Sequence, residues 1–248
     1  MGNSFKLKQY LVPGAFALVT GATDGIGKAI AVELAKTGFN LVIHGRNKEK
    51  FELVKQELIA VNPACKVIPF MHGEWNLPAE IPLTVLVNNV GVGPIERFIT
   101  SQDIESTIAL NVTFPTKLTR YVLPLMKAPG LILNISSYAA LMPPPYLAVY
   151  AGTKAYNNAF SIALARELKN VKVMSLIVGS VHTASNKKPV TFMRPSAATF
   201  AKHVLKKVGS GKKRIIPYWP HALQIFLISL LPERWIDKAT KAAMEKEI

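Results

Sequence analysis

Short β-branched runs alternate with longer helical patterns along this chain, and no other feature constrains its fold as much. "FALVT" at 16–20 precedes a helical pattern over 25–37, "LVIHG" at 41–45 one over 47–61, and "KVIPF" follows at 66–70. "TVLVNN" at 84–89 leads to 101–127, "LILNIS" at 131–136 to 147–169, and "KVMSLIV" at 172–178 to 196–208. Runs this uniformly apolar read as parallel strands buried on both faces and joined by right-handed crossover helices. The expected fold is α/β, a doubly wound parallel sheet. A length of 248 residues fits a single domain, 1–248, with no repeat or linker interrupting it.

One crossover breaks the pattern. Only "MHGEWNLPAEIPL", 71–83, separates the third strand from the fourth, and with two prolines it is too short for a covering helix. That face of the sheet should be thinly covered or patched by Trp75, and is a place for a partner chain to pack.

Half the residues are hydrophobic and 18% are charged, too apolar for a disordered chain. The surplus must be buried or meet a membrane. Thirty Lys and Arg against fifteen acids give a net charge of +15, which attracts phosphates, acidic headgroups, coenzyme A or nucleic acid. With no arginine-rich run or RNA-binding signature, nucleic acid is not expected as a partner. Cys65 is the only cysteine, which forbids an internal disulfide and suits a reducing, cytosol-facing compartment. CxxC and HExxH are absent, so no metal site is expected. The first residues are too short and polar for a signal peptide or anchor. Gly2 sits where N-myristoylation would start, but position 6 is Lys where Ser or Thr is wanted, so it is discounted.

The first strand ends in "TGATDGIGKA", with glycines at 21, 25 and 27 opening a helix. Such glycines let backbone approach a pyrophosphate while the helix N-terminus offers unpaired N–H groups. Gly21, Thr23, Asp24, Gly25, Ile26 and Gly27 are therefore candidate dinucleotide contacts. At the end of the second strand, "LVIHGRNKEK" places Gly45 where an NAD-selective site carries an acid, with Arg46 beside it. A 2'-phosphate needs a cation there, so NADPH/NADP+ is the expected cofactor.

"AVYAGTKAYNNAF" at 148–160 sets Tyr150 and Lys154 four apart on a helical pattern, which by itself is ordinary surface packing. Together with the glycine turn, "NNVG" at 88–91, "NISS" at 134–137 and "YAGTK" at 150–154, the chain resembles the short-chain dehydrogenase/reductase family over nearly its whole length. The resemblance implies a Rossmann-type fold, with 11–183 the cofactor-binding and catalytic core and 184–248 a substrate lid and apolar helical C-terminal segment. It implies Tyr150 as general acid in reduction, Lys154 as its electrostatic partner and ribose ligand, and Ser137 as the carbonyl-polarising hydroxyl. Ser136 competes for that last role, but the thirteen-residue spacing to Tyr150 favours Ser137. Asn111, in "ALNVTF", matches the member that holds a proton-relay water. A free phenol ionises near pH ~10, so a nearby cation such as Lys154 is expected to bring Tyr150 toward neutrality. Asn89, Val90 and Gly91 would touch the cofactor. In "VGSVHT", Val178 replaces the usual proline, but Gly179, Val181 and Thr183 remain to meet the nicotinamide amide. The family's adenine-contacting Asp is missing from "IPFMHG".

"PYWPHALQIFLISLLPE" at 217–233, with "ATDGIGKA" and "YAGTKAY", resembles the branch of very-long-chain 3-oxoacyl-CoA reductases and 17-beta-hydroxysteroid dehydrogenases. That branch implies NADPH-dependent reduction of a ketone on a long-chain acyl-CoA, fatty-acid-elongation style, or on a steroid-like substrate, at the cytosol-facing endoplasmic reticulum surface, with the cytoplasm as alternative. The branch's N-terminal apolar membrane segment and full third crossover helix are not seen in these residues. Reduction of a polyketide-like ketone and a non-catalytic NADP(H)-binding protein are the remaining alternatives. "ALQIFLISLL" is half the ~20 residues needed to cross a bilayer. It reads as a buried helix, a substrate-channel wall or an interfacial helix in peripheral contact with a membrane. Lys206, Lys207, Lys212, Lys213 and Arg214 nearby suit headgroups, coenzyme A phosphates or plain solvent. The segment 184–198 is the expected lid. The family resemblance implies a homodimer paired through helices 101–127 and 147–169, although their apolar stripes fit a core-facing position equally well.

Overall fold

The computed structural model describes residues 4–78 and 80–248; Gly2 lies outside the described residues. After a one-turn helix α1 (Ser4–Lys8) come β1 (Phe16–Val19), α2 (Gly25–Thr37), β2 (Asn40–Gly45), α3 (Lys48–Val61) and β3 (Val67–Met71). Then follow β4 (Leu83–Asn88), α4 (Ile104–Ile108), a π-helical turn (Ala109–Thr113), α5 (Phe114–Val122), β5 (Met126–Ser137), α6 (Ala148–Glu167) and β6 (Val171–Val178). The chain continues with α7 (Ala197–Lys207), β7 (Arg214–Ile215), α8 (Trp219–Ser229) and α9 (Glu233–Met244). The strands make one parallel sheet in the order β3-β2-β1-β4-β5-β6-β7.

The uniformly apolar strands behave as their composition requires. All of β1 and β4 is buried, and the alternation of side chains divides the core in two. Ala17, Val19, Val85 and Val87 pack with α2 and α7 on one face; Phe16, Leu18 and Leu86 pack with α5 and α6 on the other. Each fully buried Leu, Ile or Val removes enough apolar surface from water to stabilise the fold by about 1.5–3 kcal/mol. Helix ends follow local chemistry. The Asp24 carboxylate caps the start of α2 at Gly25 N, and Gly38 ends that helix at φ 110°, a conformation a Cβ opposes.

Two features differ from the sequence reading, and a third follows it. The expected helix 101–127 is interrupted by the π turn, where Phe114 N donates to Ala109 O, and β5 starts at Met126. Residue 183 is no boundary of the packed unit, because α7 lies against α2 in the main core and β7 extends the sheet beside β6. Between β3 and β4 no helix forms among the described residues. The Trp75 ring covers that face as expected, edge-on to Phe70 and Tyr121 and tilted on Phe114, while Leu77 is buried beneath. The Tyr121 hydroxyl locks the arrangement by donating to Trp75 O and accepting from Leu77 N.

Strand order reverses between β1 and β4. The loops leaving their carboxyl ends part there and open a crevice, the place where sheets of this kind take ligands.

Candidate active site at the carboxyl edge of the sheet

A cleft of about 970 Å³ lies at this reversal. Of the site residues expected from sequence, all but Gly27 and Asn111 line it. The glycine turn forms one end, with Gly21 at φ 61° and Gly25 at φ 55°. A Cβ on Gly21 would sit 3.2 Å from Val90 Cα, and one on Gly27 would sit 2.4 Å from Gly21 O. Gly27 is thus buried behind the turn and lets α2 close against it. Thr20 and Asn89 lock the turn to β4. The Asn89 amide donates to Thr20 O at 2.8 Å, while Thr20 Oγ1 accepts from Asn89 N and Val90 N. Gly25 abuts Thr183, which brings the loop after β6 to the same end.

The end of β2 contributes what the sequence only half disclosed. A Cβ on Gly45 would lie 2.7 Å from Thr23 Cγ2, so backbone and Thr23 close the space an acid would occupy. Arg46 lines the cleft, and so does Lys50, which the sequence reading passed over although "RNKEK" is a basic cluster. Lys50 Nζ stands 3.6 Å from the Asp24 carboxylate. His44 was also missed. It is buried under the turn, its Nδ1 accepting from Gly21 N at 3.3 Å and its Nε2 lying 3.1 Å from His72 Nδ1. Burial, and then the neighbouring His72 and Arg46, push the His44 imidazole down to about 4, so it is neutral at pH 7. With Nδ1 accepting, Nε2 carries the hydrogen and donates to His72, which stands at the cleft where the adenine-side Asp is missing.

At the other end, α6 places Tyr150 and Lys154 one turn apart and facing the cleft. Lys154 is buried, its Nζ donating to Ile135 O at 3.0 Å and lying 5.6 Å from the Tyr150 ring centroid. Burial lowers the ammonium to about 8. The expectation that Tyr150 would be drawn below the ordinary phenol range does not hold in the ligand-free protein. Burial raises it, and the neighbouring Ser137 hydroxyl offsets only part of the rise. The two serines differ in geometry. Ser136 Oγ is buried and donates to Lys154 O at 2.7 Å, whereas Ser137 lies in the cleft, its Oγ accepting only from Ala139 N among the described partners.

Asn111 stands just behind. Its amide grips the backbone of Val92, accepting from N at 2.9 Å and donating to O at 2.7 Å, and also reaches Thr153. Gly91 is squeezed between Asn111 Oδ1 and Lys154 Nζ, where a Cβ would come within 3.1 and 3.2 Å. Gly93 is equally constrained: its missing side chain is what allows the Tyr150 ring to lie against the loop, since a Cβ would be 2.5 Å from Cδ2. Below runs a buried polar chain. Asn88 donates to Asn134, Asn134 to Ser161 and Asn157 to the Asn111 carbonyl, which fixes the register of α6 against β5 and the π turn.

The cradle suits a dinucleotide: tight glycines, the opening of α2 and two cations at its far end. At the near end, a phenol, a second hydroxyl and a buried ammonium can donate hydrogen bonds and a proton to a carbonyl oxygen.

Comparison with known proteins agrees. The family described as short chain dehydrogenase matches residues 15–193. A very-long-chain 3-oxoacyl-CoA reductase of Rattus norvegicus is 38% identical over 256 residues, covering 95% of this chain and 81% of its own. One from Eremothecium gossypii is 36% identical over 245 residues, covering 87% and 70%. Among solved structures, a short-chain dehydrogenase from Sphingobium yanoikuyae in complex with NADPH superimposes with TM-score 0.71 at 23% identity over 88% of this chain and 97% of its own. A 7beta-hydroxysteroid dehydrogenase gives 0.78 at 18% identity over 94% and 97%, a likeness of fold. The chain therefore belongs to the short-chain dehydrogenase/reductase family and is an NAD(P)-dependent oxidoreductase acting on CH–OH groups.

Proposed function

We propose that the chain reduces a ketone on a long hydrophobic substrate, a 3-oxoacyl-CoA, with NADPH, at the cytosol-facing surface of the endoplasmic reticulum. The convergence of Tyr150, Ser137 and Lys154 in one cleft carries the reading of the reaction. The names of the relatives at 36–38% identity support the substrate class, and Gly45 standing where an acid would sit, with Arg46 next to it in the cleft, supports the 2'-phosphate. Gly21, Gly25 and the opening of α2 would hold the pyrophosphate, Lys154 the nicotinamide ribose, and Val181 and Thr183 the amide. When bound, the coenzyme supplies the hydride. Ser137 Oγ donates a hydrogen bond to the substrate carbonyl oxygen, and Tyr150 gives that oxygen its proton. The Lys154 ammonium then stabilises the phenolate left behind. Asn111 holds the Val92 backbone, so the loop carrying Gly91 and Gly93 stays against Lys154 and Tyr150.

Purified protein, given NADPH or NADH and a panel of long-chain 3-oxoacyl-CoA, 17-oxosteroid and small ketones, decides between readings. The expected result is NADPH oxidation fastest with the long 3-oxoacyl-CoA and at least about tenfold slower with NADH, the size of one lost charge-assisted contact. Turnover confined to steroids, or tight NADPH binding without oxidation by any ketone, overturns it.

A further inference from the structure

The reaction leaves the C-terminal helices unused. Trp219, Leu223, Phe226 and Leu227, with Leu230 at the helical cap that follows, recur at i, i+4, i+7, i+8 and i+11, so they share one face of α8 and its end. That face is bare: the five are 43–65% exposed. α8 itself carries no Asp, Glu, Lys or Arg, and none of its residues lines the cleft. Phe192 of the 184–198 loop, itself exposed, enlarges the patch by meeting Trp219 edge-on at 5.4 Å. The patch is fixed to the cleft side of the molecule. Tyr218 Oη donates to Phe192 O and His221 Nε2 contacts Met193 O, while the same loop begins in the cleft wall at Ala184–Asn186.

We propose that this face docks on an anionic lipid bilayer, with α8 lying in the plane of the headgroups. Charge selects that occupant. Residues 184–248 carry thirteen Lys and Arg against four Asp and Glu, the greater part of the chain's net +15. An apolar stripe opened by a tryptophan, in a segment with this excess of cations, matches an anionic interface. Apposing two copies would instead bring two such basic segments together, which opposes self-association through this face. At eleven residues α8 is roughly 16 Å long, half the ~30 Å of a hydrocarbon core. Among the described residues no helix is long and apolar enough to cross a membrane, so the docking is on the surface. The inference does not depend on the reaction proposed above.

Flotation of the full chain, with no coenzyme or substrate, tests it directly. The protein should rise with phosphatidylcholine vesicles containing phosphatidylserine, less with phosphatidylcholine alone, and less as salt is raised. The Phe226→Glu/Leu227→Glu variant should lose about tenfold or more of the binding while keeping its thermal unfolding and its reduction of a short soluble ketone. In the unaltered protein, tryptophan emission should shift to the blue on adding the anionic vesicles, and the shift should shrink in Trp219→Phe. Failure of the wild-type chain to float with anionic vesicles, or equal flotation of wild type and the double variant, overturns the proposal. So does a wild-type dimer in sedimentation that becomes monomeric in the double variant.

Discussion

Lys154 shows how far a single residue can be read in advance and where reading stops. Its presence four residues after Tyr150 is written in "YAGTK", and so is its partner Ser137 in "NISS", because short spacings survive folding as neighbours on a helix or at a strand end. Its electrostatics are not written there. Burial among β5, the Gly91 loop and α6 brings the ammonium down to about 8 and pushes Tyr150 up, an effect of distant segments on one another. His44 and His72 were illegible for the same reason: their contact joins the ends of β2 and β3, set by strand register. Since Lys154 is cationic below its pKa and neutral above it, support for the developing phenolate is present at pH 7 and lost on the alkaline side. The value of kcat/KM for NADPH in ketone reduction, which reports the free protein, should fall about tenfold per unit above roughly pH 8. A flat profile from neutrality to strongly alkaline pH contradicts this.

Among the elements, the β/α alternation was legible because parallel strands must be apolar on both faces, and β1, β2, β4, β5 and β6 fall where the runs are. The two-residue β7 was not, since "RI" carries no pattern. The π turn also escaped notice: helical periodicity passes through "ALNVT" unchanged, and only the tertiary demand that Asn111 hold Val92 shows why a widened turn sits there. The short third crossover was visible, including the substitution of Trp75 for a helix. Trp75 is 42% exposed, so Trp75→Ala removes about half a side chain's burial, a loss of about 1–2 kcal/mol. Thermal unfolding should move down by about 4 °C, with activity retained at lower temperature. An unchanged midpoint would mean that the Phe70, Phe114 and Tyr121 rings close the face unaided.

For the molecule as a whole, the strand-order reversal determines where chemistry is done, and charge determines what approaches. One cleft receives the glycine turn, the β2 cations and the α6 pair because all stand at carboxyl ends of neighbouring strands. The 184–198 loop touches both the cleft and the bare face of α8, so the proposed hydrophobic substrate and the proposed lipid surface would share a side. Within this arrangement the central claim is that the Tyr150 phenol delivers the proton. The most direct test is Tyr150→Phe assayed with NADPH and a long-chain 3-oxoacyl-CoA, with NADPH affinity measured on the same preparation. The account predicts a fall in kcat of about 10²–10⁴ with NADPH binding within about twofold of wild type, since the ring still packs against Gly93. A Phe variant that turns over at the wild-type rate contradicts it.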